Sequence, residues 1–244
     1  MKRAVLNIAH RGASGDYPEN TLCAFAAAID HGAQMCELDV QRTADGALAV
    51  IHDERIDRTT DGSGYVSNIA AAQLASYDAG SWRGAQFAGE RVPALEQVFR
   101  AVGDRGALNI ELKAAGIEAA VCGVVRAFKA KSSAIISSFD WAALENVRRI
   151  APEMRVGLLA NRAPAKLLKM AIAIDAVAVH PRFDLISPSF CDEAHAAGLL
   201  VYTWTVDEPA AMQWLIKAGV DGIMTNYPAR LRDLVEEDGA VRAR

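Results

Sequence analysis

The stretch Thr21–Val40, TLCAFAAAIDHGAQMCELDV, changes period in its middle, and that change decides the fold class. Leu22, Phe25, Ala26 and Ile29 recur at i, i+3, i+4 and i+7, which predicts one apolar face of a helix over Thr21–His31. Asn20 stands where it can cap the start and Gly32 where it can end it. Met35–Val40 then reads as a short buried strand. The same alternation recurs through the chain. Strand runs at Val5–Ala9, Ala107–Glu111, Ala134–Ser138, Arg155–Leu159, Asp175–Val179, Leu199–Trp204 and Gly222–Thr225 are interleaved with helical segments at Leu95–Val102, Ile117–Ala130, Trp141–Ile150, Pro164–Ile172, Pro188–Ala197, Pro209–Ala218 and Pro228–Glu236. Several helices open on Ser, Asp or Pro and close on Gly. Eight strands each answered by a helix predict a (β/α)8 TIM barrel, with a doubly wound open sheet as the alternative. The length of 244 residues suits a single barrel domain over 1–244, since such barrels use about 250 residues.

A ninth run, Ala47–His52, follows the second strand too closely for a parallel crossover and must return as an antiparallel hairpin. Asp45-Gly46 is a strong turn signal, and centring the turn on it sets His52 opposite Asp39. The segment Asp53–Val92, rich in Asp, Gly, Ser and Thr, reads as a small insertion after that hairpin, over the rim where long loops usually carry function.

Composition excludes several functions. The 26 Lys and Arg against 30 Asp and Glu give a net charge of −4 with no cationic cluster, so a nucleic-acid partner or stable membrane association is not expected. The apolar stretch after Lys2 and Arg3 is interrupted by Asn7 and ends at His10-Arg11, too short for a signal-peptide core, so a cytoplasmic location is expected. The apolar stretch Met170–Val179 is broken by Asp175, short of the roughly 18 residues a spanning helix needs. Cys23, Cys36, Cys122 and Cys191 lack CxxC spacing and read as reduced core or near-core residues. A homo-oligomer is left open.

Barrel enzymes place their chemistry at the C-terminal ends of the strands, so the charged residues closing each run matter most. The first run ends in His10-Arg11-Gly12, the second carries Glu37 and Asp39, the hairpin returns His52-Asp53, and the next parallel run ends in Glu111-Leu112-Lys113. Residues i and i+2 of a strand share a face, so Glu37 and Asp39 point together into the mouth, as do Glu111 and Lys113. Three converging carboxylates would repel one another without a cation, and an all-oxygen set favours one hard divalent ion, Ca²⁺ or Mg²⁺. The competing reading, a structural ion network, is disfavoured because burying charge for stability alone is a poor bargain. His10 and His52 suit general acid and base duties beside such a metal, with neither role assigned. Arg11 and Lys113 suit a multiply charged phosphoryl group. Phe139, Trp204 and, less firmly, His180 could wall the substrate pocket. His31 and His195 read as structural.

These blocks resemble a known family. HRGASGDYPENTLCAF (His10–Phe25), CELDVQRTADGALAVIHD (Cys36–Asp53), NIELK (Asn109–Lys113), SSFD (Ser137–Asp140), WTVD (Trp204–Asp207) and GVDGIMTNYP (Gly219–Pro228) together resemble the glycerophosphodiester phosphodiesterases. The resemblance implies a TIM barrel with a small insertion and a divalent metal, Ca²⁺ or Mg²⁺, on Glu37, Asp39 and Glu111. It further implies catalytic histidines at His10 and His52 and phosphate-binding residues at Arg11 and Lys113. The implied reaction is hydrolysis of a small-molecule glycerophosphodiester to sn-glycerol 3-phosphate and an alcohol. Asp207 stands where that family often has Asn, and it can still cap the following helix. The competing readings are a lysophospholipase D acting on acylated substrates, a lyase using Lys113 as a Schiff base, and a non-catalytic phosphate-binding barrel.

Overall fold

The computed structural model describes residues 5–242, so Lys2 and Arg3 lie outside it. In chain order the elements are β1 (Leu6–His10), α1 (Leu22–Asp30), β2 (Met35–Arg42), β3 (Leu48–Val50), α2 (Ala71–Leu74), α3 (Leu95–Val102), β4 (Ala107–Leu112), α4 (Glu118–Ala127), β5 (Ala134–Ser138), α5 (Trp141–Ile150), β6 (Val156–Ala160), α6 (Pro164–Ala173), β7 (Ala178–Pro181), α7 (Pro188–Ala196), β8 (Leu200–Thr203), α8 (Pro209–Ala218), β9 (Gly222–Thr225) and α9 (Pro228–Arg242). The strands other than β3 run parallel, in the order β1-β9-β8-β7-β6-β5-β4-β2, and β1 also pairs with β2. That last pairing closes the sheet into a TIM barrel and excludes the open-sheet alternative.

The two faces of each strand are sorted by the period of two. Ile8, Met35, Ile135, Ala178, Tyr202 and Met224 pack together inside the barrel. Their neighbours in sequence, such as Ala9, Cys36, Ile136, Val179, Val201 and Ile223, belong instead to the larger core shared with the helices. Cys36, Cys122 and Cys191 are buried, and Cys23 is half-buried. Among the described residues no helix is long and apolar enough to cross a membrane.

Three local expectations are corrected. The cap of α1 is Thr21, whose hydroxyl accepts from the Ala24 N–H at 3.4 Å. Asn20 takes a positive φ of 59° and turns its side chain away. The run expected from Asp175 starts only at Ala178, because Asp175 itself adopts φ 53° in the turn leaving α6. The hairpin register is shifted by one residue: Val40 faces Val50 and Arg42 faces Leu48, around a turn in which Gly46 has φ 84°. Thr43 holds that longer turn, its N–H donating to the Ala47 carbonyl at 3.0 Å and its hydroxyl to Asp45 Oδ1 at 2.6 Å. Ile51, not His52, therefore stands beside Asp39, its N–H donating to the Asp39 carbonyl at 3.0 Å.

Beyond the hairpin, the stretch 53–92 is largely irregular. It gathers a small core of its own, in which Ile56, Val66, Ile69, Leu74, Ala79 and Val92 pack on Ala49 and Ile51 of the returning hairpin. This seats the segment over the rim beside β2.

Candidate active site

At the end of β1 the chain turns sharply through Arg11 (φ 57°) and Gly12 (φ 81°). A methyl group on Gly12 would come within 2.7 Å of the Ala24 backbone, so glycine is required for α1 to pack this close. The Arg11 N–H donates to the Glu37 carbonyl and to its Oε2, both at 3.0 Å, which ties the turn to β2.

Glu37 and Asp39 lie on the inward face of β2, and Glu111 stands across from Asp39 in the register with β4. One oxygen from each of the three lies within 4.8 Å of the others, and all three side chains are buried. Asp39 Oδ2 accepts from Asn20 Nδ2 at 2.9 Å and lies 3.1 Å from Arg11 Nε. Lys113 Nζ donates to Glu111 Oε1 at 3.0 Å and approaches Asp39 Oδ1 at 3.8 Å. Asp39 Oδ1 is buried with no hydrogen bond. Burial, then the charges of Asp39 and Glu111, push the Glu37 carboxyl well above the carboxylate range. Burial and then Asp39 raise Glu111 to about 7, against the pull of Lys113. Two cations therefore do not balance the cluster. A buried carboxylate oxygen without a donor, amid oxygen-only side chains, fits a hard divalent cation, which Glu37, Asp39 and Glu111 could hold.

The two histidines are held differently. His10 Nδ1 lies 2.7 Å from Asn226 Oδ1. The Asn226 amide nitrogen donates to Asp207 Oδ2 at 2.6 Å, so the amide oxygen faces His10. His10 therefore carries its proton on Nδ1 and leaves a lone pair on Nε2. Burial, then the Arg11 charge, lower its pKa to about 4. His52 Nδ1 instead meets a carboxylate, Asp53 Oδ1, at 2.6 Å. Hydrogen bonds from Arg58 hold Asp53 far below the usual carboxylate range. Asp207 does not cap α8 as expected. It accepts from Thr225, from the Asn226 N–H and from the Asn226 side chain.

A cavity of ≈ 130 Å³ brings together His10, Arg11, Glu37, His52, Glu111 and Lys113. Phe139 and Trp204 wall it, edge to face with centroids 5.4 Å apart. The third expected wall residue is elsewhere: the His180 ring is fully buried against Tyr202, in space that a side chain on Gly157 would fill. Only its carbonyl serves the site, accepting from Trp204 Nε1 at 2.7 Å. His31 packs on Tyr17 and His195 pairs with Asp221, both outside the cavity. Sequence reasoning passed over Asn109, which lines the cavity floor and shares a strand face with Glu111, a position the period of two makes legible. It also missed Asn20, Glu19 and Asn226, whose roles depend on loop paths.

The chain matches the model of the glycerophosphoryl diester phosphodiesterase family over residues 10–230. It is 41% identical over 240 residues to the glycerophosphodiester phosphodiesterase of Caldanaerobacter subterraneus subsp. tengcongensis, covering 96% of this chain and 99% of that one. A Bacillus subtilis glycerophosphodiester phosphodiesterase is 34% identical, with 92% and 84% covered. Among solved structures, a phosphodiesterase of Oleispira antarctica in complex with the product sn-glycerol-3-phosphate superposes with a TM-score of 0.89 at 29% identity, over 94% of this chain and 96% of that one. Fold, cavity and sequence agree, and the chain belongs to the glycerophosphoryl diester phosphodiesterase family.

Proposed function

We propose that this protein hydrolyses small glycerophosphodiesters to sn-glycerol 3-phosphate and a free alcohol, using one divalent cation, Ca²⁺ or Mg²⁺, at Glu37, Asp39 and Glu111. The observation that carries this reading is one cavity lined by Glu37, Glu111, two cations and two differently held histidines, with Asp39 in the same buried carboxylate cluster as Glu37 and Glu111. A bound cation would supply Lewis-acid polarisation of a phosphoryl oxygen. Arg11 and Lys113 face the same group and offset the negative charge that grows in the transition state, Arg11 through a planar fork and Lys113 as a point charge. Against the burial that would lower it, Glu111 and Asp39 hold the Lys113 pKa above its ordinary value, so it stays charged at neutral pH.

His10, neutral with a lone pair on Nε2, accepts the proton of the attacking oxygen, whether that oxygen is water or the glycerol 2-hydroxyl. His52, whose ring the Asp53 carboxylate orients through Nδ1, gives a proton to the departing alkoxide. Phe139 and Trp204 lie against the carbon skeleton of the substrate and keep water from that side.

The test is a panel of glycerophosphodiesters with choline, ethanolamine, glycerol or inositol headgroups, together with a lysophospholipid, assayed with Ca²⁺ or Mg²⁺ for the phosphorylated product. Release of sn-glycerol 3-phosphate from at least one deacylated diester supports the proposal. Turnover of the acylated substrate alone would transfer it to a lysophospholipase D.

A further inference from the structure

One side chain of the 53–92 segment touches both halves of the site. The Arg58 guanidinium donates from Nη1 to Glu19 Oε2 at 2.8 Å and from Nη2 to Glu19 Oε1 at 2.8 Å. It also donates from Nε to Asp53 Oδ2 at 2.7 Å and from Nη2 to Asp53 Oδ1 at 3.1 Å. Each carboxylate has a second partner inside the cavity. Glu19 Oε1 accepts from Arg11 Nη1 at 3.0 Å, and Asp53 Oδ1 lies 2.6 Å from His52 Nδ1. A continuous line, Arg11–Glu19–Arg58–Asp53–His52, thus begins at a cation facing the phosphoryl group and ends at a histidine placed for proton transfer.

The two carboxylates come from separate loops, Glu19 from the turn before α1 and Asp53 from the end of the hairpin, and would repel each other without a shared cation. A planar guanidinium can grip two carboxylates at once through its fork, whereas an ammonium cannot hold both in fixed orientation. The Arg58 side chain is 45% exposed, so its ion pairs contribute little to the stability of the fold. Its bonds nonetheless fix the groups that aim Arg11 and His52.

We propose that Arg58 is a positioning residue: by clamping Glu19 to Asp53 it sets where the Arg11 guanidinium and the His52 imidazole stand relative to each other. This gives the inserted segment a function in the reaction, and it rests on the phosphodiesterase reading above. A displacement of about 1 Å at reacting groups costs on the order of 10²-fold in rate, so a lost clamp is measurable.

The test compares the metal-loaded full chain with Arg58→Ala and Arg58→Lys. It reads kcat/KM on glycerophosphocholine, the melting temperature, and the affinity for sn-glycerol 3-phosphate by calorimetry, each with and without added methylguanidinium. In Arg58→Ala, kcat/KM falls roughly 10- to 100-fold and product affinity about fivefold, while the melting temperature stays within about 3 °C of the parent. Methylguanidinium restores part of both losses and tetramethylammonium at equal ionic strength does not. Arg58→Lys falls between parent and Ala variant. Values within about twofold of the parent, or losses that follow a lowered melting temperature and resist methylguanidinium, overturn the proposal. If the parent itself releases no product, the phosphodiesterase reading fails and affinity alone decides. A loss of affinity reversed by methylguanidinium then supports the clamp, and unchanged affinity overturns it.

Discussion

Glu111→Gln should make the metal-free protein more stable at pH 8 while removing its response to metal. Burial and the neighbouring Asp39 charge lift the Glu111 carboxyl from 4.5 to about 7. Between those values the folded chain holds a proton that the unfolded chain has released, so stability falls as pH rises through this window, and the full loss is present above pH 7. A rise of that size corresponds to about 3 to 4 kcal/mol over the whole window. Gln keeps the shape and retains an oxygen for Lys113 Nζ, but carries no charge to desolvate. Urea unfolding in EDTA at pH 5 and pH 8 should show the parent losing about 2 to 3 kcal/mol more than Glu111→Gln, the rest of the loss lying below pH 5. Removing the Glu111 charge also relieves Glu37, whose carboxyl that charge helps to raise, so the difference between the two proteins reads the coupled pair and not Glu111 alone. Metal at about 100 times its Kd should return about 2.7 kcal/mol to the parent and much less to the variant. Parent stability that is flat from pH 5 to pH 8, with Glu111→Gln the less stable protein at pH 8, would refute the electrostatic account of the triad.

Other consequences follow from the same geometry. His10→Ala and His52→Ala should each lower kcat by roughly 10²-fold or more with the circular dichroism spectrum preserved, and near-parent turnover in either removes that residue from the chemistry. Because Glu111 is half-protonated near pH 7 without metal, cation binding should release protons. Calorimetry in buffers of different ionisation enthalpy reads this directly, and equal heats in all buffers would contradict it. Gly12→Ala combines a positive φ with a 2.7 Å approach to Ala24 and should destabilise the protein by about 2 kcal/mol or more, read as a lowered urea midpoint.

The parts of this molecule that were legible in sequence are those governed by local period. Leu22, Phe25 and Ile29 announced α1, and the alternation Glu37-Leu38-Asp39 announced which side chains enter the barrel mouth, because side-chain direction follows from position on an element. What could not be read depends on loop paths. The one-residue slip of the hairpin turns on Thr43 capping a longer turn, which Asp45-Gly46 alone does not reveal. Asn20 looked like a helix cap and is an Asp39 donor, because a positive φ reorients it. His180 closes a strand at the correct end of the barrel, yet Gly157, two residues back on the neighbouring strand, leaves room for its ring in the interior. Asp207 and Asn226, far apart in sequence from His10, fix its tautomer through contacts that only the closed barrel creates.

The most direct test of the central claim is to strip the protein with EDTA, add glycerophosphocholine, and follow the phosphorus resonances as Ca²⁺ or Mg²⁺ is titrated back. No conversion is expected in EDTA, and sn-glycerol 3-phosphate should appear once the cation reaches the Glu37, Asp39 and Glu111 site. Conversion at an undiminished rate in EDTA, or none with either cation, would contradict it.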